Sequence, residues 1–295
     1  MTESSAEAKI RAALPLTRFM NGYMPLSLIR WILKQTVARV QLPATISRQL
    51  VSADGVPCEW LIPQNSPPDQ VLLYLHGGGF VIGSSHLHYQ MVASLAEKMG
   101  IRALMVDYRI APEHPFPAAL DDCVGAYRWL LKQGFSPKNI VIAGDSAGGN
   151  LTITSMMKLR DSGDPLPAAA ACLSPAADLS QNSDMIKGVY DPLLHPRAVR
   201  LYLRSYVAGN DPRNPLISPV YGDWRGLPPL LIHAGEDEAL RADAIHCDQL
   251  AKTAGVDARL EIYPRMWHVW QIQLELPQAH QSLDDIGQFL KSHLQ

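Results

Sequence analysis

The chain is short of charge imbalance, of cysteine and of long apolar runs. Its 26 lysines and arginines face 28 aspartates and glutamates, for a formal net charge of -2. That balance gives no electrostatic reason to expect nucleic acid or an anionic membrane as the main partner. The cysteines number four in 295 residues. Cys58, Cys123, Cys172 and Cys247 are far apart and form no CxxC pair, which argues against a disulfide framework and a zinc knuckle. Free buried thiols in a reducing compartment are expected. No stretch approaches the roughly 20 apolar residues of a membrane helix. In the opening MTESSAEAKIRAALPLTRFM, acidic residues come early and Arg11 and Arg18 interrupt the apolar positions, unlike a signal peptide. The expectation is a cytoplasmic protein with no membrane span. There is no internal repeat and no low-complexity tract.

What is present fits one large α/β domain: 47% of the residues are hydrophobic and 18% charged. Apolar runs at 71–76, 102–108, 139–144, 168–174, 228–235 and 258–264 are mostly continuous rather than alternating. That pattern predicts strands buried on both faces of a parallel sheet. Helix-like segments lie between and after them at Tyr89–Met99, Ala118–Gln133, Asn150–Ser162, Arg241–Ala254 and Pro277–Leu294. The alternation predicts a doubly wound sheet. Two regions stand outside it. In segment 1–45, Ile29, Ile32, Leu33, Thr36, Val37 and Val40 fall at helical spacing. Segment 181–214 is too long for a simple crossover loop. Each reads either as ordinary packing on the sheet or as a cap over a site.

The chemistry-bearing signals follow strands. Gly144-Asp145-Ser146-Ala147-Gly148 sits between NIVIA and a helix-like run, the setting of a G-x-S-x-G nucleophile elbow. There a serine is held on a strained turn with its hydroxyl exposed, and the glycines keep side chains out of a close strand–helix approach. His76-Gly77-Gly78-Gly79-Phe80 ends the strand VLLYL. Consecutive glycines let backbone N–H groups reach a developing oxyanion, so Gly77, Gly78 and Ala147 are the expected donors. A phosphate loop is excluded because no GK[ST] follows. His76 reads as structural. His268, after the last strand, comes late in the chain as the order nucleophile, acid, histidine requires. His86 and His88 lack a third metal-ligand pattern and read as surface histidines. The acid is open among Glu236, Asp237 and Glu238, which follow the strand PPLLIHAG.

Together, HGGGF (76–80), DYRIAPEHPFPAAL (107–120), GDSAGGN (144–150), the acid segment (235–241) and the His268 loop resemble the bacterial hormone-sensitive-lipase family of esterases. Within it the likeness is nearest to monoterpene lactone hydrolase-like and short-chain esterases with a similar HVW segment. The resemblance implies an α/β-hydrolase fold with a helical cap formed by 1–45 and 181–214, over a catalytic domain of 46–295. The family's acid-x-Leu-Arg pattern falls on Glu238-Ala239-Leu240-Arg241, which favours Glu238, with Asp237 the alternative. It further implies that Asp145 shapes the elbow and borders the substrate with Gly79 and Phe80. Asp107, Arg109, Glu113 and His114 are implied to form a structural loop.

The expected activity is hydrolysis of short- to medium-chain carboxylic esters through an acyl-enzyme, with no metal or organic cofactor. Met20, Met24, Ile29 and Leu33 are expected to line the acyl pocket. A lactone, amide or aryl ester would meet the same triad, and an acceptor other than water would make the chain a transferase. A non-enzymatic binding protein is disfavoured because serine, histidine and carboxylates are all retained. The open edge of a parallel sheet allows a homodimer.

Overall fold

A computed structural model describes residues 5–180 and 190–295, so 181–189, the first part of the predicted 181–214 segment, lies outside the described residues. Eight strands form one sheet: β1 (Ile46–Ala53), β2 (Val56–Pro63), β3 (Val71–Leu75), β4 (Arg102–Val106), β5 (Ile140–Asp145), β6 (Ala169–Leu173), β7 (Leu230–Gly235) and β8 (Ala258–Tyr263). Their spatial order is β1-β2-β4-β3-β5-β6-β7-β8. The six strands from β3 to β8 are those expected from the apolar runs, and they pair in parallel. The hairpin β1–β2 was not among the expected strands; it pairs antiparallel, and β2 joins β4 antiparallel. Its signal was Asp54-Gly55, both at positive φ (52° and 98°) in the two-residue turn that such a hairpin favours.

The α-helices among the described residues are α1 (Ser5–Tyr23), α2 (Leu26–Val37), α3 (His86–Met99), α4 (Ala118–Lys132), α5 (Ala147–Asp161), α6 (Pro196–Val207), α7 (Arg241–Thr253) and α8 (Pro277–Ser292). Leu73, Leu75, Ile142 and Ile232 point to the sheet face covered by α4, α5 and α7. Leu72, Tyr74, Val141 and Leu231 point to the face covered by α3 and α8. Both faces being buried explains why the strands read as unbroken apolar runs. No helix among the described residues is long and apolar enough to cross a membrane.

This winding creates the crevice. The chain leaves β3 for α3 on one face and leaves β5 for α5 on the other, although β3 and β5 are neighbours. Loops that diverge at such a switch point leave a cleft at the carboxyl ends of the strands.

Candidate active site

The neighbouring strands β5 to β8 each place one polar side chain at the carboxyl edge. Ser146 follows β5 directly, with φ 54° and ψ -114°, a conformation that costs a non-glycine residue about 1–3 kcal/mol. The strain is sustained because α5 begins at once, pressed against β3. A Cβ at Gly148 would run into the Leu75 carbonyl oxygen, so only glycine lets helix and strand approach so closely. The Ser146 Oγ lies 2.9 Å from His268 Nε2. The other ring nitrogen, Nδ1, faces Glu238 Oε2 at 3.5 Å, an ion-pair distance longer than a tight hydrogen bond. Such contacts are often long before substrate binds.

Glu238 and Asp237 are adjacent, but the fold separates them. Glu238 is buried beside His268. The Asp237 side chain is 42% exposed and accepts from Arg11 Nη1 of α1 at 2.9 Å. Only Glu238 faces the imidazole. Ser174, at the end of β6, was not singled out in the sequence, yet its hydroxyl donates to Glu238 Oε2 at 2.8 Å and accepts from the Val269 N–H at 3.2 Å. It ties the acid to the histidine loop. Burial pushes the Glu238 carboxyl above the usual range, and His268 and Ser174 pull it back only in part. For His268, burial alone lowers the pKa. The Glu238 carboxylate outweighs it, aided by Asp191 and Asp145, so the ring titrates above the ordinary histidine value.

The glycine loop after β3 requires a correction. The Gly77 N–H donates to Asp145 Oδ1 at 3.0 Å, so it is not free to meet an oxyanion. The amides of Gly78 and Gly79 have no such partner among the described residues, and both residues border the cavity while Gly77 does not. Gly78 has φ 110° and a Cβ there would strike the Ile82 carbonyl. Ala147 is the first residue of α5, where the N–H points out of the helix end. The available donors are therefore Gly78, Gly79 and Ala147, one residue along from the expected set.

Asp145 borders the cavity, but its carboxylate is committed behind the loop. It accepts from Tyr74 Oη at 2.9 Å and lies 3.3 Å from His88 Nε2. Burial would raise its pKa, but His88, Tyr74 and His76 hold it below the usual carboxylate range. His88 is a second correction: it is buried, not a surface residue. Its Nδ1 accepts from the Ser85 N–H at 2.9 Å in the capping box of α3, which aims Nε2 at Asp145. His76 is buried, with Nδ1 2.7 Å from the Gly77 carbonyl. The 107–114 loop is held by Arg109 clasping Asp122 with both Nε and Nη2, and by Glu113 pairing with Arg30 at 2.7 Å.

The cavity above Ser146 measures about 210 Å³. Gly79 and Phe80 line it, and so do Leu193, Leu194, Val199 and Leu203. Met20, Met24, Ile29 and Leu33 do not; among the described residues of segment 1–45 only Asn21 reaches it. Met20 is exposed near the end of α1, Met24 lies between α1 and α2, and Ile29 and Leu33 are on α2. Asp191 anchors the loop before α6. Buried, it accepts from the N–H groups of Leu193 and Leu194 at 2.8 and 2.7 Å and from that of Ala239, beside the acid, at 2.9 Å. Among the described residues no group of three or more His, Cys, Asp or Glu is placed to hold a metal ion.

A family model described as the alpha/beta hydrolase fold matches residues 72–272. The chain belongs to this family. It is 42% identical to an acetyl-hydrolase of Streptomyces hygroscopicus over 82% of each chain. It is 32% identical to an esterase of Acinetobacter venetianus, over 99% of this chain and 95% of the relative. Among solved structures, an esterase from the bacterial hormone-sensitive lipase family superposes with a TM-score of 0.93 at 39% identity, covering 100% of both chains. These relatives set the chain in the esterase branch anticipated from HGGGF and GDSAGGN.

Proposed function

We propose that this α/β-hydrolase is a serine carboxylesterase in which Ser146 is the nucleophile, His268 the general base and Glu238 its acid partner. The observation that carries the reading is the 2.9 Å contact between a strained serine hydroxyl and an imidazole whose far side faces a buried carboxylate. Neutral His268 takes the Ser146 proton as Oγ bonds to the acyl carbon, and Glu238 stabilises the imidazolium so formed. The carbonyl oxygen becomes an oxyanion against the N–H groups of Gly78, Gly79 and Ala147, each donor being worth about 10²–10³ in rate. His268 then returns the proton to the leaving alcohol as the C–O bond breaks. Water repeats the sequence on the acyl-enzyme and releases the acid.

The described parts of segments 1–45 and 181–214, residues 5–45 and 190–214, form a cap over the rest of the 46–295 body; Asn21 and the run from Leu193 to Leu203 at the cavity support this. The acyl preference is for short to medium chains, because about 210 Å³ of apolar space is below the roughly 300–1,000 Å³ of sites for drug-sized ligands. A cytoplasmic location is supported by four cysteines that are all unpaired and buried. The test is initial rates on p-nitrophenyl esters from acetate to palmitate, in wild type and Ser146→Ala. Fast turnover of short esters, declining toward palmitate and lost in the variant, is expected. Equal rates in the two proteins, or a preference for palmitate, would overturn the proposal.

A further inference from the structure

The two N-terminal helices turn apolar side chains outward. On α1, Leu16, Phe19, Met20 and Tyr23 recur at the spacing of one helical face, and all are exposed, Phe19 by 60%. On α2, Leu28, Trp31 and Ile32 do the same, Trp31 again by 60%. The inward faces bury little: Glu7, Leu14 and Gly22 on α1, and Ile29 on α2. Large apolar side chains gathered into exposed stripes mark an interaction surface.

Beside them runs a basic ridge. The outward face of α6 is Arg197, Arg200, Leu201 and Arg204, all exposed. The ridges touch where the Tyr23 ring meets His195 at 5.2 Å and the Arg197 guanidinium lies over Tyr23 at 5.3 Å. Residues 5–45 contain six lysines and arginines and residues 190–208 three more. The only carboxylates in these stretches, Glu7 and Asp191, are buried. Arg11 and Arg30 are bound to Asp237 and Glu113 of the body, and the other seven leave the cap face positive. The near-neutral net charge of the chain conceals this segregation.

We infer that this face docks peripherally on an anionic lipid–water interface. Aromatic and aliphatic side chains enter the headgroup boundary while flanking arginines stay among the phosphates, the division of labour of interfacial helices. A second copy of the chain fits less well, because a two-fold contact sets a basic surface against itself. The same α1 and α6 wall the cavity from within through Asn21, Val199 and Leu203, so a docked cap holds the site against the interface. Docking is separable from the esterase reading, since its test measures binding.

Trp31 is exposed, whereas Trp60, Trp129, Trp224, Trp267 and Trp270 are all buried, so intrinsic fluorescence reports this face. Vesicles of phosphatidylcholine with phosphatidylglycerol should blue-shift the emission and co-sediment the full chain at low salt, and added salt should reverse both. Pure phosphatidylcholine should bind far less. A Phe19→Ser/Leu28→Ser variant and an Arg197→Gln/Arg200→Gln/Arg204→Gln variant, each checked for an unchanged thermal melt, should bind at least about tenfold more weakly. The inference is overturned by no co-sedimentation with the anionic vesicles, by equal binding to phosphatidylcholine alone, or by a concentration-dependent dimer that blue-shifts Trp31 without lipid.

Discussion

On the sheet side of the cavity, polar side chains hold one another in place: Ser174 fastens Glu238, Glu238 faces His268, and Asp145 joins Tyr74, Gly77 and His88. On the opposite side stand Leu193 and Leu194, in a loop tied to the acid segment through the carboxylate of Asp191, and Val199 and Leu203 of α6. The first wall is built for fixed geometry, which charge development during reaction demands. The second offers apolar area, which discriminates ligands by size. The contrast implies that chemistry and selectivity can be altered separately.

Substitutions can break that division, beginning with the largest effect. Ser146→Ala should lower kcat about 10⁴–10⁶-fold on every ester, as single triad losses do, read by initial rates. Glu238→Gln should cost about 10³–10⁴ in kcat. It should also move the pH profile. His268 must be neutral to act, and its pKa lies above the ordinary histidine value. Wild-type kcat/KM should therefore fall as the pH drops below that raised value. Without the Glu238 charge, burial dominates and lowers the pKa, so the acidic limb should shift to lower pH; an unmoved limb would contradict the assignment. Asp145→Asn should reduce kcat about tenfold to a hundredfold with little change in KM, because it loosens the loop bearing the oxyanion donors rather than removing a donor.

Across the cavity, Leu194→Ala should keep acetate turnover within about tenfold while favouring longer esters, each added methylene gaining up to about 0.8 kcal/mol of burial. Relative kcat/KM across an acyl series measures this, and a uniform loss on all chain lengths would erase the distinction between the walls. Asp237→Asn should change kcat by less than about threefold, since it breaks only a half-exposed pair with Arg11. That small effect, set against Glu238→Gln, separates the two neighbouring carboxylates kinetically.

The parts of this arrangement that were legible in the sequence are those encoded locally. Strands buried on both faces leave unbroken apolar runs, and the elbow announces itself because only glycine tolerates the approach of α5 to β3. The unread parts depend on distant partners. Asp237 is drawn out of the triad by Arg11, 226 residues away. The Gly77 amide is occupied by a carboxylate from another strand. His88 is buried because α3 begins beside the elbow, although its own neighbourhood looks like surface. The β1 strand exposes four consecutive residues, Ser47 to Leu50, so its alternation was too weak to read despite the Asp54-Gly55 turn.

The most direct test of the central claim is covalent labelling with a fluorophosphonate followed by peptide mapping. One adduct per chain, on Ser146, slowed strongly in His268→Ala and absent in Ser146→Ala, is the predicted result. Stoichiometric labelling of the Ser146→Ala protein, or a wild-type adduct on another residue, would contradict the account.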